Sequence, residues 1–510
     1  MSEASVALPG AADVDVPTLD GKVVTQGFLA ANHRTALEAI VGRSGIVLDC
    51  ADMAAYVTPA RYLAGRAACV LKPSGTQQVS EVVAYLVQSG LPFVPQSAHT
   101  GLVLGATPDA SGATVVVSLE RLCSPPIVNH LDRTVVVGAG TRLSKLNAAL
   151  HPIGLELPID LGADPMIGGM VATNAGGARF VRHGDMRRHV LEVEAVLPNR
   201  AGEIVRFGRG LRKDNSGLDL KHLMIGSCGS LGVITKVTLQ VAPLPRQRAC
   251  AIVIPKEPRD CLEILARLEQ EAFEFVSAFE GMSGPAMSAA LGGLPRIRNP
   301  FGGPPPAYAI LIELTSSQRP GPGRFDLATL LNDIMFEVME GQASPIENVI
   351  ILPSHDAWAL RHSLSEGLRR RGSVMGFDLS LRRSDVFAFR EVMMQRLGVE
   401  FPDVDICDFG HVADGGLHFN LMTRAVDALD AARRRELDQC VLEIAVGQFG
   451  GSFSGEHGFG PANQQAYDKW TPEVAKSYAA KLRNVFAAEA APLFQLGPRL
   501  TSLPGSFASE

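Results

Sequence analysis

Glycine density in the first half of the chain is the feature that most restricts its fold. The stretch LPIDLGADPMIGGMVATNAGGARFVRHGD (157–185) contains six glycines, and IGSCGSLGVIT (225–235) repeats the pattern directly before a strand. A third loop, PQSAHTGLVLGATPD (95–109), is small and polar, and its backbone amides could converge on a phosphate group. Ordered glycine costs conformational entropy, so this density indicates backbone pressed against something flat or charged. Tight turns explain either glycine-rich stretch alone, but hardly all three segments in order.

The regions around these segments read as mixed α/β structure. SGTQQVSEVVAYLVQSG (74–90) is typical of a helix that ends at Gly90, and VLEVEAVLPNRAGEIVRFG (190–208) is typical of two strands around a turn. A second α/β stretch runs over roughly residues 249–425. With 510 residues the chain is too long for one core, which predicts more than one domain.

Composition and motif patterns exclude several classes of protein. The formal net charge of −6 gives no reason to expect nucleic acid or an anionic membrane as partner. The eight cysteines form no CxxC pair, so we predict neither a zinc knuckle nor a disulfide framework. A reducing cytoplasm is therefore the expected environment. No apolar run is long enough to span a bilayer. VVVGAGTRL (135–143) has Leu143 where a dinucleotide fingerprint needs its third glycine, so a nicotinamide fold is rejected.

The stretch DFGHVADGGLHFNL (408–421) predicts a β-hairpin that carries two histidines. Asp414-Gly415 is a strong signal for a two-residue type I′ turn, which would place His411 directly opposite His418. Asn420 shares their face because side chains alternate along a strand. Two imidazoles at this separation can chelate a divalent ion if a carboxylate joins them. From the hairpin alone, a packed or solvated histidine pair is favoured over a metal site.

Together with GGSFSGEHGFG (450–460), these segments resemble the FAD-linked oxidase family, whose fold is of the vanillyl-alcohol-oxidase type. Within that family they resemble the D-2-hydroxyacid dehydrogenase branch, which includes D-lactate, glycolate and D-2-hydroxyglutarate dehydrogenases. The resemblance covers roughly residues 40–465. It implies an α+β protein with a two-subdomain FAD-binding domain and an α/β substrate-cap domain. The expected ranges are a flexible leader (1–35), the FAD-binding domain (36–248), the cap domain with the metal site (249–465) and a C-terminal segment that packs back on the FAD domain (466–510).

The resemblance implies that FAD lies along the three glycine-rich segments. The loop that would hold the pyrophosphate consists of Pro95, Gln96, Ser97, Ala98, His99, Thr100 and Gly101. The residues that would line the isoalloxazine and ribityl chain are Pro158, Gly162, Ile167, Gly168, Gly169, Thr173, Asn174, Gly176, Gly177 and Gly184. Gly229, Gly232 and Val233 would contact the nucleotide end. His99 lies near the attachment point of covalent relatives, but the branch usually binds FAD non-covalently.

The resemblance also implies a metal site of His411, His418 and Glu456 beside the flavin. Imidazole and carboxylate ligands suit zinc, with manganese, iron and cobalt as alternatives. His457 would be the base that takes the hydroxyl proton while the C2 hydride passes to flavin N5. Arg361 of WALRHSL would bind the substrate carboxylate bidentately, and Asn420 is the third candidate catalytic residue.

Some positions depart from the family pattern. Cys228 replaces a common glutamate, and Gly416 replaces a frequent asparagine. Gly376 stands where relatives that act on hydroxyglutarate carry a lysine for the distal carboxylate. Because one cation is missing, a monocarboxylate such as lactate, or a larger apolar hydroxy acid, is favoured over a dicarboxylate.

The predicted function is FAD-dependent, metal-assisted oxidation of a D-2-hydroxy acid to the 2-keto acid. The alternatives are a flavoprotein oxidase or a non-redox flavin enzyme of the same fold, a zinc hydrolase, and a redox-inactive flavin-binding subunit. The electron acceptor is left open among quinone, cytochrome, electron-transfer flavoprotein and oxygen, and a homodimer is left open too. The predicted location is cytoplasmic, with peripheral attachment to the inner membrane through the acceptor as the alternative.

Overall fold

The computed structural model of the chain describes residues 29–490, with gaps at 295, 342, 424–428 and 488. Most of the predicted leader and the last part of the predicted C-terminal segment lie outside the described residues. A helix begins at Ala31, inside the range predicted to be a flexible leader. Leu37 and Val41 of this helix are buried, so the apolar face of the segment fixes it to the core.

The loop formed by the small, polar segment lies at one end of the first sheet. The elements here are α1 (Ala31–Val41), β1 (Ile46–Val47), α2 (Cys50–Val57), β2 (Ala67–Leu71), α3 (Thr76–Gln88), β3 (Phe93–Gln96) and β4 (Thr114–Ser118). The strands form a four-stranded sheet in the order β1-β2-β4-β3, in which β2, β4 and β3 are parallel. Helix α3 buries Val79, Val82, Val83 and Leu86 against it. Residues 97–101 therefore follow the carboxyl end of a parallel strand, where α/β folds place their ligands.

The second sheet carries the two glycine-rich stretches. Its region contains β5 (Ile127–Asn129), β6 (Thr134–Gly138), α4 (Leu143–Leu150), β7 (Leu155–Glu156), α5 (Ile167–Thr173), α6 (Phe180–His183), α7 (Met186–His189), β8 (Val190–Val196), β9 (Ile204–Gly208), α8 (Lys221–Met224), β10 (Val233–Gln240) and β11 (Ala242–Pro243). Five strands pair antiparallel in the order β5-β6-β10-β8-β9, and β7 pairs with β11 separately. A methyl group on Gly168 would lie 2.6 Å from the Cβ of Ala139, so only glycine lets α5 pack this closely on the sheet.

The third sheet is larger and antiparallel throughout. Its region contains β12 (Gln247–Pro255), α9 (Cys261–Ala272), β13 (Val276–Ser283), α10 (Gly284–Gly293), β14 (Tyr308–Ser316), α11 (Leu327–Glu340), β15 (Ile346–Ile351), α12 (Ser354–Arg371), β16 (Ser373–Ser380), α13 (Val386–Glu400), β17 (Asp405–Ile406), β18 (Phe409–His411) and β19 (Gly416–Thr423). The order is β15-β12-β14-β13-β18-β19-β16, with β17 paired to β19. Helices α10 and α12 pack on one face, and α9 and α11 pack on the other.

The last helices lead back toward the second sheet. They are α14 (Ala431–Leu442), α15 (Gln464–Trp470) and α16 (Glu473–Ala487). Phe486 of α16 meets Phe207 edge-on, with ring centroids 6.1 Å apart. The predicted α+β class is confirmed, whereas the predicted domain bounds stay predictions. None of the described helices is long and apolar enough to cross a membrane.

Close contact between α10 and α12 depends on one glycine. A Cβ on Gly367 would lie 2.5 Å from the Cα of Ala290. Helix α12 also carries Arg361, so this contact helps to position the helix that bears this arginine.

We expect Gly367→Ala to destabilise the protein by about 1–3 kcal/mol, because the added methyl group must push two helix backbones apart. The measurement is the midpoint of thermal or urea unfolding, followed by circular dichroism. Gly292→Ala is the matched control, since nothing lies within 4 Å of a Cβ at that exposed position of α10. An equal loss of stability in both variants would contradict this account of the helix contact.

Candidate active site

The three predicted metal ligands lie together at the edge of the third sheet. One oxygen of Glu456 is 3.4 Å from Nε2 of His418, and the other is 3.8 Å from Nε2 of His411. The two imidazole rings are 5.3 Å apart, and a donor atom from each of the three residues lies within 4.8 Å of the others. This arrangement has the size and the chemistry of a three-ligand metal site.

The hairpin that presents the histidines differs from the predicted one. His418 pairs with Phe409, and His411 pairs with Glu280 on the neighbouring strand, so the two histidines are diagonal and not directly opposed. The turn spans residues 412–415, and Asp414 lacks the positive φ that a type I′ turn demands. The predicted register is therefore wrong by two residues. Both side chains still project from one face, because side-chain direction repeats every two residues.

Glu280 is a central residue that the sequence analysis missed. It is completely buried on β13, where one carboxylate oxygen is 2.6 Å from Nδ1 of His411. The other oxygen accepts a hydrogen bond from Nε of Arg361 at 2.7 Å. Burial alone would raise the pKa of Glu280, but these two cations outweigh it and hold the pKa at about 2. The available signal was a single acidic residue inside the otherwise apolar stretch VSAFEGM (276–282).

The Glu280 contact leaves Nε2 of His411 facing Glu456. This nitrogen is buried and has no hydrogen-bond partner among the described residues, which is the expected state of an atom reserved for a ligand.

Burial alone would lower the pKa of His411, but Glu280 raises it well above its ordinary value. Burial lowers the pKa of His418 to about 4, so that ring is neutral at pH 7. The histidines outweigh burial at Glu456 and hold its pKa well below its usual range, so it stays ionised. These donors fit a divalent metal ion.

Asp378, also missed from the sequence, holds the loop that carries Glu456 and His457. Its Oδ2 accepts hydrogen bonds from the backbone amides of Glu456 at 2.9 Å and of His457 at 2.7 Å. The same oxygen lies 3.5 Å from Nδ1 of His457 and accepts a bond from the Ser454 hydroxyl. Gly458 has a φ of +80°, a backbone turn that favours glycine. The loop therefore aims two consecutive side chains at one site.

A cavity of about 550 Å³ follows the predicted FAD segments. The predicted residues that line it are Pro95, Ser97, Ala98, His99, Thr100, Gly101, Gly162, Gly168, Gly169, Thr173, Gly176, Gly229, Gly232 and Val233. A Cβ on Gly169 would approach Ser97 to 3.1 Å, and one on Gly229 would approach Pro95 to 3.1 Å. Side chains at these glycines would narrow the cavity, so the segments fit an extended cofactor such as FAD.

Six predicted FAD contacts lie elsewhere. Pro158, Gln96, Ile167, Asn174 and Gly184 are not in the wall of this cavity, and Gly177 lines the neighbouring one. Ile167 points into the core, and the Gln96 amide donates to the carbonyls of Tyr56 and Ala106. In a helix such as α5, consecutive residues point in different directions, so only part of a motif can face one ligand.

His99 uses both ring nitrogens within the protein. One nitrogen is 2.8 Å from the hydroxyl of Thr107, and the other is 3.3 Å from the carbonyl of Ala55. Burial lowers the pKa of this ring, which therefore stays neutral. These contacts favour the expected non-covalent FAD over attachment at His99.

A second cavity, of about 310 Å³, adjoins the first. The predicted catalytic and metal residues in its wall are Arg361, His411, His418, Asn420, Glu456 and His457. Glu456 and His457 line both cavities, so the two spaces meet at the candidate base. The guanidinium of Arg361 stacks 4.8 Å above the ring of Phe409, while Glu280 holds its Nε. Its remaining nitrogens are available for a carboxylate.

A second buried carboxylate joins the glycine-rich stretch to α12, the helix that carries Arg361. Glu313 on β14 accepts hydrogen bonds from Arg179 at 2.8 Å and from the indole of Trp358 at 2.9 Å. Arg179 also pairs with Asp160 at 2.7 Å, and its guanidinium lies 5.2 Å from the Trp358 ring. Burial opposes the charge on Glu313, but Arg179 outweighs it and the pKa is held at about 2.

Two family models match the chain. The model described as "FAD binding domain" matches residues 67–208, and "FAD linked oxidases, C-terminal domain" matches residues 244–487. The D-2-hydroxyglutarate dehydrogenase, mitochondrial, of Arabidopsis thaliana is 33% identical over 81% of this chain and 72% of that protein. Its namesake from Bos taurus is 33% identical over 87% of this chain and 78% of that protein.

A solved alkyldihydroxyacetonephosphate synthase supports the fold. It superposes with a TM-score of 0.67 at 14% identity, over 93% of this chain and 86% of that chain. At this identity the likeness concerns the fold alone.

The names of the two relatives correct the predicted location. Both proteins are called mitochondrial, which points away from the cytoplasmic home expected from the cysteines. Unpaired cysteines report a reducing environment, and they do not distinguish one reducing compartment from another.

We expect Glu313→Gln to lower the free energy of unfolding at pH 7 by about 1.5–3 kcal/mol, because Arg179 loses a charge-assisted hydrogen bond and keeps only Asp160 as its charged partner. Since the folded-state pKa of Glu313 lies at about 2, below the reference value of 4.5, its stabilisation is full above pH 4.5. It is lost as the pH falls through 2. Urea unfolding at several pH values should therefore show a shallower acid dependence in the variant.

Exposed Glu263 of α9 provides the control variant Glu263→Gln. Its unfolding should follow the unmodified protein at every pH. If Glu313→Gln shows the same acid dependence as this control, Glu313 does not carry the assigned stabilisation.

Proposed function

Because the chain belongs to the FAD-linked oxidases, and within them to the D-2-hydroxyacid dehydrogenases, we propose that it oxidises a D-2-hydroxy acid with His457 as base and a metal ion at His411, His418 and Glu456. The observation that carries the finer part of this proposal is the meeting of the two cavities. The candidate base, the metal ligands and Arg361 all line the smaller cavity where it opens into the glycine-lined one. FAD-dependent oxidation of a D-2-hydroxy acid is the activity of the family.

Two groups supply chemistry that side chains lack. When bound, FAD accepts the two electrons and a divalent metal acidifies the substrate hydroxyl. The side chains of the protein bind, orient and deprotonate the substrate. Arg361 offers its free guanidinium nitrogens to the substrate carboxylate, because its Nε is already held by Glu280.

The surroundings of His457 support its proposed role as the base that takes the hydroxyl proton. Its Nδ1 faces Asp378 at 3.5 Å, which leaves Nε2 as the acceptor on the cavity side. Its ring stacks on His418 with 5.8 Å between the centroids, so the base lies against a metal ligand. Asn420 lines the same cavity, where its amide donates to the carbonyls of His418 and Cys407 and leaves its oxygen available to substrate.

Glu280 sets the tautomer of His411. With Nδ1–H directed at the carboxylate, Nε2 is the nitrogen that would give up its proton to bind a metal, and such outer carboxylates also make the imidazole a stronger ligand. One carboxylate therefore positions both the metal ligand and the substrate arginine.

The alternatives differ in what they require. A zinc hydrolase would not need the glycine-lined cavity, whose glycines leave room for a large cofactor. A flavoprotein oxidase and a non-redox flavin enzyme share the fold, and they differ from the proposal in the fate of the flavin electrons.

The central test is anaerobic reduction of the purified yellow protein by D- and L-2-hydroxy acids. We expect D-acids to bleach the flavin, and we expect a chelator or His411→Ala to slow the bleaching strongly. His457→Gln should slow it by about 10²–10⁴-fold while substrate still binds, because general base catalysis contributes that much. His355→Gln, at an exposed position of α12, is the matched control and should leave the rate unchanged.

A colourless protein, or flavin that no hydroxy acid reduces, would refute the proposed oxidation. Bleaching that is insensitive to chelator and to His411→Ala would refute the metal role alone.

We expect Glu280→Gln to lower metal affinity by about 10–100-fold, since loss of an outer carboxylate typically has that effect. The measurement is competition with a chromophoric chelator, read together with metal content by mass spectrometry. Glu313→Gln is the matched control, because it removes an equally buried carboxylate from the adjacent strand without touching His411. Equal loss of metal in both variants would mean general destabilisation and would reject the assignment of Glu280.

A further inference from the structure

Three side-chain oxygens in the core of the third sheet have no hydrogen-bond partner among the described residues. They are Oγ of Ser283, Oη of Tyr308 and Oδ1 of Asp408. Ser283 and Asp408 are completely buried, and Tyr308 is 2% exposed. A buried polar atom without a partner costs free energy, so in native proteins such an atom usually bonds to an ordered water or another ligand.

The three residues form one row across neighbouring strands. Ser283 of β13 lies directly opposite Tyr308 of β14, and its amide donates to the carbonyl of Asp408 at 3.0 Å. Directly opposed residues project from the same face of a sheet, which places the side chains of Ser283 and Tyr308 together. Asp408 shares that face, because its neighbours Cys407 and Phe409 pack on the other one. The three oxygens therefore converge in one buried region.

Packing holds both hydroxyl groups in the core of the sheet. A Cβ on Gly281 would lie 2.2 Å from the Tyr308 oxygen, so the phenol occupies the room that this glycine leaves. The Tyr308 ring also meets Phe387 of α13 edge-on, with centroids 5.6 Å apart. Ser283 stands at the N-cap position of α10, but its hydroxyl makes no capping bond to that helix. Neither hydroxyl is therefore used by a neighbouring helix.

The charges of this region favour a neutral ligand over an ion. Arg390 of α13 donates from Nε to Oδ2 of Asp408 at 2.9 Å, and its guanidinium lies 5.2 Å from the Tyr308 ring. Burial opposes the charge of Arg390, but Asp408 outweighs it and raises the pKa of the guanidinium. Burial also raises the pKa of Tyr308 well above its usual range, and Asp408 acts in the same direction, so the phenol keeps its proton. Since the arginine neutralises the aspartate, an added ion would leave an uncompensated charge in the core.

We infer that Ser283, Tyr308 and Asp408 together bind one buried water molecule. Their groups match the bonding capacity of water, since Oδ1 of Asp408 accepts and each hydroxyl can donate or accept. The water donates to Oδ1 of Asp408 and to one hydroxyl, and it accepts from the other. This gives the three hydrogen bonds that are typical of buried water.

The bound water anchors the segment that carries His411. It joins β13 and β14 to the residue that precedes β18, a strand of three residues that pairs with β19 through Phe409 and His418. The water lies on the face of the sheet opposite to Glu280 and His411, because side chains alternate along a strand. It therefore supports this segment from behind, and the inference does not depend on the proposed function.

The direct test is a high-resolution crystal structure of the full-length protein. We expect one solvent peak within about 2.5–3.2 Å of Ser283 Oγ, Tyr308 Oη and Asp408 Oδ1, the range of normal hydrogen bonds. A direct bond between two of these side chains, or a region without ordered solvent, would overturn the inference.

Tyr308→Phe tests the same bond in solution through the sign of its effect. If the hydroxyl binds water, its loss should lower the thermal midpoint and make the amides of residues 408–411 exchange about 3- to 10-fold faster, as expected for one lost hydrogen bond. A hydroxyl that binds nothing gives the opposite sign, because its removal relieves a buried unpaired group. An unchanged or raised midpoint would therefore contradict the assignment.

Ser283→Ala shows whether the two hydroxyls share one water. Because both changes disturb the same molecule, the double variant with Tyr308→Phe should lose less in midpoint than the sum of the single losses. Additive losses would give the hydroxyls separate partners and reject the shared site. Tyr478→Phe, the same change at an exposed position of α16, is the matched control and should alter neither readout. If a core variant does not fold, the crystal structure of the unmodified protein decides.

Discussion

A single buried carboxylate organises the candidate active site. Glu280 sits on the central part of an eight-stranded sheet with no exposure to solvent, and it can remain charged there only because His411 and Arg361 contact its two oxygens. These contacts fix the ring orientation of the proposed metal ligand His411 and the side chain of Arg361, the proposed substrate arginine, at the same time. The positions of His411 and Arg361 therefore both depend on the need to neutralise the charge of Glu280.

Helix α12 is held to the sheet by hydrogen bonds to buried carboxylates at two positions along its length. Glu280 and Glu313 lie on adjacent strands and project toward this helix, where they receive Arg361 and Trp358, three residues apart. Residues three apart share one face of a helix, so both carboxylates fix the rotation of α12. Glu313 adds Arg179 from the glycine-rich stretch. Helix α12 and the glycine-rich stretch proposed to bind FAD are thereby tied to the same two buried carboxylates.

Local patterns in the sequence were sufficient for much of this architecture. Periodicity and turn residues were enough to predict the helix at Thr76–Gln88, the strand pair at 190–208 and the common face of the two hairpin histidines. Glu280 could not be paired with His411 from one sequence, because 131 residues separate them and a buried ion pair leaves no local pattern.

The register of the hairpin limits how its turn can vary among proteins of this kind. The histidines stay on one face although their pairing is shifted by two residues from the simplest arrangement. Turns that gain or lose two residues would keep both imidazoles on the same face, whereas a change of one residue would turn His411 to the opposite face. Insertions and deletions in residues 412–415 should therefore occur in pairs wherever both histidines contribute to one site.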